Sequence, residues 1–150
     1  MYESAIKFEY SFNIDIAYIK KCFEANYKPI LIKEKLDYQI INNAENFFIT
    51  SFNLDSLDEG YLKPNLLISF CNYISVSPRK FYDSYYKFIF SNYDKKIIKW
   101  RSENNLSQRN AAKLLKVSPV SICSWEKKSS YPSRLQFSMI SKVNSKLTYR

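Results

Sequence analysis

The donors and cations of this chain that could engage a ligand cluster between Asn105 and Glu126, in the stretch NLSQRNAAKLLKVSPVSICSWE. Ser107 ahead of Gln108, and Ser118 ahead of Pro119, are each suited to cap a helix. The hydroxyl accepts from an N–H that the first turn leaves orphaned, and proline fits the first helical position. The spacing predicts two short helices. Ala111 or Ala112, Leu114 and Leu115 turn inward on the first, and a small residue at Ala112 lets the second cross closely. Lys116 is the turn, Val117 plugs the core beneath it, and Ile122 and Trp125, three apart, are the buried side of the second helix. Pro119, Val120, Ser121, Ser124 and Lys128 are left facing outward. Hydroxyls and ammonium groups displayed in this way suit hydrogen bonding and charge pairing rather than covalent chemistry.

Catalysis has little to build on. Histidine is absent, which removes the commonest general base and metal ligand. The sequence holds no Gly-rich phosphate loop, paired-carboxylate motif or GxSxG. Cys22, Cys71 and Cys123 are odd in number and far apart, without a CxxC pair, so neither structural zinc nor a disulfide framework is expected. They read as small hydrophobes. The expectation is a protein that is not an enzyme, with no catalytic residues, no cofactor and no metal. No apolar run approaches the roughly 20 residues that span a bilayer, and MYESAIKFEYSF lacks the organisation of a signal peptide. A cytoplasmic protein without a membrane partner is expected.

The net charge of +9 is uneven. Residues 1–93 hold ten Lys/Arg against eleven Asp/Glu, or −1, while residues 94–150 hold thirteen against three, or +10. Lysines and arginines that neutralise phosphates release condensed counterions, so such a block is an electrostatic footprint for nucleic acid. A basic face kept for solubility is the plainer alternative.

The elements around this stretch are read from periodicity. Residues 5–14, AIKFEYSFNI, alternate apolar and polar, which predicts a half-buried strand. KPILIK (28–33) is a candidate partner strand, another copy of the protein being the alternative, and a short amphipathic helix is expected from Asp15 to Asn26. Ser77-Pro78 opens an aromatic segment in which Phe81, Tyr85, Phe88 and Ile89 recur at helical spacing and read as core. Asn92–Asp94 is the joint, and Lys95–Glu103 is a further helix with Ile97, Ile98 and Trp100 inward. The organisation is therefore an N-terminal domain of residues 1–93 for dimerisation or partner binding, and a C-terminal domain of residues 94–150.

From Ile97 to Ser133 the chain resembles the Cro/C1-type (XRE) helix-turn-helix family. The matching residues are Arg101, Leu106-Ser107-Gln108, Ala112, Leu115, Val117-Ser118, Ile122, Trp125-Glu126 and Pro132-Ser133. The resemblance implies a mainly α fold whose second motif helix, about residues 118–127, lies in the DNA major groove while the preceding helix crosses the backbone. Carried over, Gln108, Pro119, Val120, Ser121 and Ser124 face the bases. Arg101, Ser107, Arg109, Lys113, Lys127, Lys128, Ser130 and Arg134 are the phosphate contacts. The implied function is a sequence-specific transcription regulator, of the repressor type, binding double-stranded DNA as a homodimer on half-sites about 34 Å apart. Two departures stand out: Lys116 and Lys128 occupy positions where the family usually has Gly. The outward face of the second motif helix itself also lacks Arg, Asn and Gln, so base specificity is expected to be modest or to lean towards AT-rich sites.

Shifted back by 68 residues, the same pattern finds Tyr38, Ala44, Phe47, Ile49, Thr50, Leu54, Leu57, Asp58 and Pro64, with Gly60 where the family's glycine belongs. Residues 28–90 thus read as a degenerate second copy. Its outward face of Ser51, Phe52, Asn53, Asp55 and Ser56, beside Asp58 and Glu59, would repel phosphates and suits dimerisation or a protein partner. The rival reading makes Asn46–Leu54 a strand. The alternative function is a protein-binding inhibitor or antitoxin acting through the N-terminal domain, with the C-terminal domain used for autoregulation.

Overall fold

The structure, a computed structural model, describes residues 2–143. Among the described residues the chain is mainly helical with one small antiparallel ribbon, and it divides into two compact units, Met1–Phe81 and Tyr82–Arg150. No helix among the described residues is long and apolar enough to cross a membrane.

The first unit opens with helix α1 (Tyr2–Asn26), where a strand was expected over residues 5–14. The partner segment KPILIK is itself helix α2 (Lys28–Lys33). A strand without a partner leaves a row of backbone groups unpaired, whereas a helix satisfies them internally. The 3/4 spacing of Ile16, Ile19 and Phe23 extends the same helix, so the alternation upstream is overridden. Helix α3 (Tyr38–Ser51) starts at Asp37, whose carboxylate accepts from the Gln39 N–H at 2.8 Å, and it buries Ile41, Ala44 and Phe48 at helical spacing. The alternative strand over residues 46–54 is thereby excluded as far as Ser51.

A single 3-10 turn (Leu54–Ser56) leads into the ribbon of β1 (Leu57–Asp58) and β2 (Tyr61–Leu62), paired Leu57 to Leu62 and Asp58 to Tyr61. Glu59 and Gly60 make its turn at φ +51° and +84°. Two consecutive positive values match the right-handed twist of a tight hairpin, and glycine adopts them at no steric cost. Helix α4 (Pro64–Ile74) is the last α-helix of the unit. The core is aromatic. The buried Tyr27 ring lies 5.1 Å from Phe48, 5.7 Å from Phe70 and 5.5 Å from Phe81, centroid to centroid. Its hydroxyl accepts from the Leu62 N–H at 2.6 Å, which ties the ribbon to the core.

The two-helix arrangement is not repeated in this unit. Displaced by 68 residues, the second motif helix falls on the end of α3, the 3-10 turn and β1. Other parts of the pattern do correspond. Gly60 and Lys128 share a left-handed backbone, at φ +84° and +60°, and the same 68-residue shift carries the sequence positions of α4 onto those of the last helix of the second unit.

The second unit begins twelve residues before the expected boundary of 93/94. The aromatic segment is not one helix from Ser77. Pro78–Phe81 is a 3-10 turn, and Asp83 caps a new helix, α5 (Ser84–Ile89), accepting from the Tyr86 N–H at 2.9 Å. Helices α6 (Tyr93–Glu103), α7 (Gln108–Leu115), α8 (Pro119–Glu126) and α9 (Arg134–Val143) follow. Tyr85 donates to the Pro132 carbonyl at 2.6 Å and Tyr93 to that of Ser130 at 2.7 Å, while Phe137 packs on Tyr85 and Phe88. Charge composition hid this boundary, because α5 is aromatic and nearly neutral. Ile97 and Trp100 are buried as expected, but Ile98 and Leu114 are 38% and 48% exposed and lie off the inward stripes.

Candidate functional site

Helix α7 starts where its cap requires. Ser107 Oγ accepts from the Asn110 N–H at 3.0 Å, and Gln108 is the first helical residue. The helix stops at Lys116, whose left-handed backbone (φ +56°) sends its N–H back to the carbonyls of Ala112 and Lys113. A lysine there costs about 1 kcal/mol relative to glycine. Val117 then donates to the Ala112 carbonyl at 3.0 Å and turns the chain towards Ser118. Ser118 Oγ accepts from the Ser121 N–H at 3.2 Å, with Pro119 behind it at the first helical position.

Both helices are fixed from the inside. Ala111, Ala112 and Leu115 of α7 and Ile122 and Trp125 of α8 are buried. A second device holds the far end of α8. Arg101 on α6 reaches the Glu126 carboxylate with two parallel bonds of 2.8 Å, from Nε and from its NH2 nitrogen, and donates a third at 3.1 Å to the Leu106 carbonyl. Gln108 Nε2 adds a donor to the same carboxylate at 3.2 Å. The hydrogen bond that Arg101 donates to Glu126 raises the Arg101 pKa further above its already high value. Three helices therefore meet on one carboxylate, and bidentate geometry of this kind sets angle as well as distance.

This arrangement reassigns several expected contacts. Arg101 and Gln108 are held by Glu126 and position α8. Arg134, expected at phosphate, is only 8% exposed. Its NH1 nitrogen bonds Asp83 at 2.6 Å and its guanidinium lies 4.6 and 4.8 Å from the Tyr85 and Tyr86 rings. Burial opposes its charge, but the hydrogen bonds and negative charge of Asp83 and Tyr86 together outweigh that penalty, so its pKa lies above the ordinary arginine value. Arg134 is a core clamp, not a surface contact. Lys128 stands 3.7 Å from Asp94 and 5.9 Å from the Tyr93 ring centroid, which partly engages its charge. Ser130 is exposed, with its carbonyl taken by Tyr93.

The remaining expected residues stay at the surface. Pro119 and Val120 are exposed, Val120 at 73%, and Ser121 and Ser124 are half-buried. Ser107, Arg109, Lys113 and Lys127 are exposed, with Arg109 and Lys113 four apart on the outer side of α7. Lys116, exposed in the turn between the helices, is a further cation that was read only as a backbone position; its charge was the available signal. From Asn104 to Val143 the sequence holds one carboxylate, Glu126, and Arg101 neutralises it.

In the first unit, Ile16, Ile19, Ile49, Phe52 and Leu54, together with Asp15 and Asp55, line a groove of about 710 Å³. No protein-family model matches this chain, and no curated protein or solved structure bears a significant similarity to it.

Proposed function

We propose that the second unit binds duplex DNA, with α8 entering the major groove and α7 crossing the backbone. In this reading the protein is a cytoplasmic transcription regulator that represses by occupying an operator as a homodimer, and it is not an enzyme. The observation that carries the reading is the division of α8. Ile122 and Trp125 are buried, Val120 is 73% exposed, and Glu126, the one carboxylate in the sequence from Asn104 to Val143, is tied up by Arg101. An α-helix with its side chains is about 10–12 Å across and the major groove about 12 Å wide, so an outward helix face of this kind fits. Arg109, Lys113, Lys116 and Lys127 supply backbone contacts, and the Ser107 hydroxyl, which accepts from Asn110, retains its proton to donate to a phosphate oxygen. The resemblance to the Cro/C1-type family supports the same assignment.

Fluorescence anisotropy with a mixed-sequence duplex, titrated at several salt concentrations, tests it. Each phosphate contact contributes roughly −0.9 to the slope of log affinity against log salt. Replacing Arg109, Lys113 and Lys127 by Gln is expected to make the slope shallower by about 3 for each bound subunit. Absence of binding, or a slope unchanged in the triple variant, would overturn the reading.

The groove in the first unit favours a second reading, in which that unit binds another protein and the DNA module serves autoregulation. Loss of a stoichiometric partner on Ile49→Glu, with DNA affinity unchanged, would support it.

A further inference from the structure

We infer that the DNA module reads sequence chiefly through the thymine 5-methyl group, with Val120 as the residue that touches it. The inference rests on the DNA-binding reading above and goes beyond it to the chemistry being recognised. Val120 occupies the second position of α8 and contributes nothing visible to packing, being 73% exposed. A β-branched residue is also a poorer helix former than alanine. Folding therefore does not explain its presence.

Its neighbours on α8 lack the bidentate groups that read purine edges. Arg, Lys, Asn and Gln recognise purine edges with paired donors and acceptors, and none occurs between Pro119 and Glu126. Ser121 has its hydroxyl 3.0 Å from that of Ser118, within the cap of α8. Gln108, an amide side chain on α7, is drawn to Glu126. What α8 presents at its leading end is an apolar surface of Pro119 and Val120. In the major groove the matching apolar feature is the methyl on thymine, absent from uracil and from cytosine and restored in 5-methylcytosine.

Four duplexes separate methyl recognition from other causes of AT preference: alternating AT, its uracil counterpart AU, alternating GC, and GC with 5-methylcytosine. The full chain is titrated with each by anisotropy at fixed salt. One buried methyl corresponds to about a fourfold change in affinity. AU is expected to bind about fourfold or more weakly than AT for each methyl contacted, and methylated GC to bind more tightly than GC. Val120→Ala is expected to keep the fold, checked by circular dichroism, and to bring the AT/AU ratio close to one. Equal affinity for AT and AU, or a ratio that survives Val120→Ala, overturns the inference while leaving DNA binding intact. Failure to bind any of the four duplexes overturns the DNA-binding reading itself, and this inference with it.

Discussion

Glu126 receives three side-chain hydrogen bonds, two from Arg101 and one from Gln108, on a carboxylate that is 7% exposed. Removing one partner of such a pair leaves an uncompensated charge in a poorly solvated place. Glu126→Ala is therefore expected to destabilise the second unit by about 3 kcal/mol, measured by urea denaturation, and Glu126→Gln by less. A second prediction concerns Cys71, whose thiol is pushed up to about 12 by burial. Its folded-state value lies above the unfolded one, so this group leaves stability unaffected below about pH 9 and lowers it as pH climbs from there towards 12. In the folded protein at pH 8, Cys71 should resist thiol reagents that label the more accessible Cys123. The residue types in the candidate site were legible in the sequence, but their partners were less so. Arg101 and Gln108 suit phosphate or base edges equally well. Only the fold brings Glu126, 25 and 18 positions away, against them.

The elements divide in the same way. Ser107 and Ser118 announce helix starts because a cap is a local hydrogen bond, and both caps form. The N-terminal alternation misleads because a strand needs a distant partner, and KPILIK becomes α2 instead. Asp83 was hidden as a cap inside a segment whose aromatic spacing already looked helical from Ser77. Left-handed positions are where element-scale substitutions should act. Lys116→Gly relieves a backbone strain and is expected to raise the thermal stability of the second unit by about 1 kcal/mol, while weakening DNA affinity through the lost cation. Ser118→Ala removes the cap of α8 and should cost about 1 kcal/mol. The opposite signs of these two changes, measured by denaturation in one background, check the assignment of turn and cap.

For the molecule as a whole, the division at Phe81/Tyr82 has a direct consequence. A fragment of residues 82–150 retains Asp83, Tyr85 and Phe88 and is expected to melt cooperatively. A fragment begun at residue 94, where composition placed the boundary, strips the carboxylate from buried Arg134 and should lose about 3–5 kcal/mol, enough to unfold it. A mainly helical architecture and a basic C-terminal half could be read from the sequence. The division itself could not, since α5 joins the second unit through contacts some fifty residues apart. In the proposed reading, α7 and α8 form the surface that meets duplex DNA. Amide hydrogen exchange of the full chain, with and without a saturating mixed-sequence duplex, tests it most directly. Slowed exchange concentrated in residues 107–128 is the predicted result. Protection confined to residues 38–62, or an exchange pattern that DNA leaves unchanged, would contradict it.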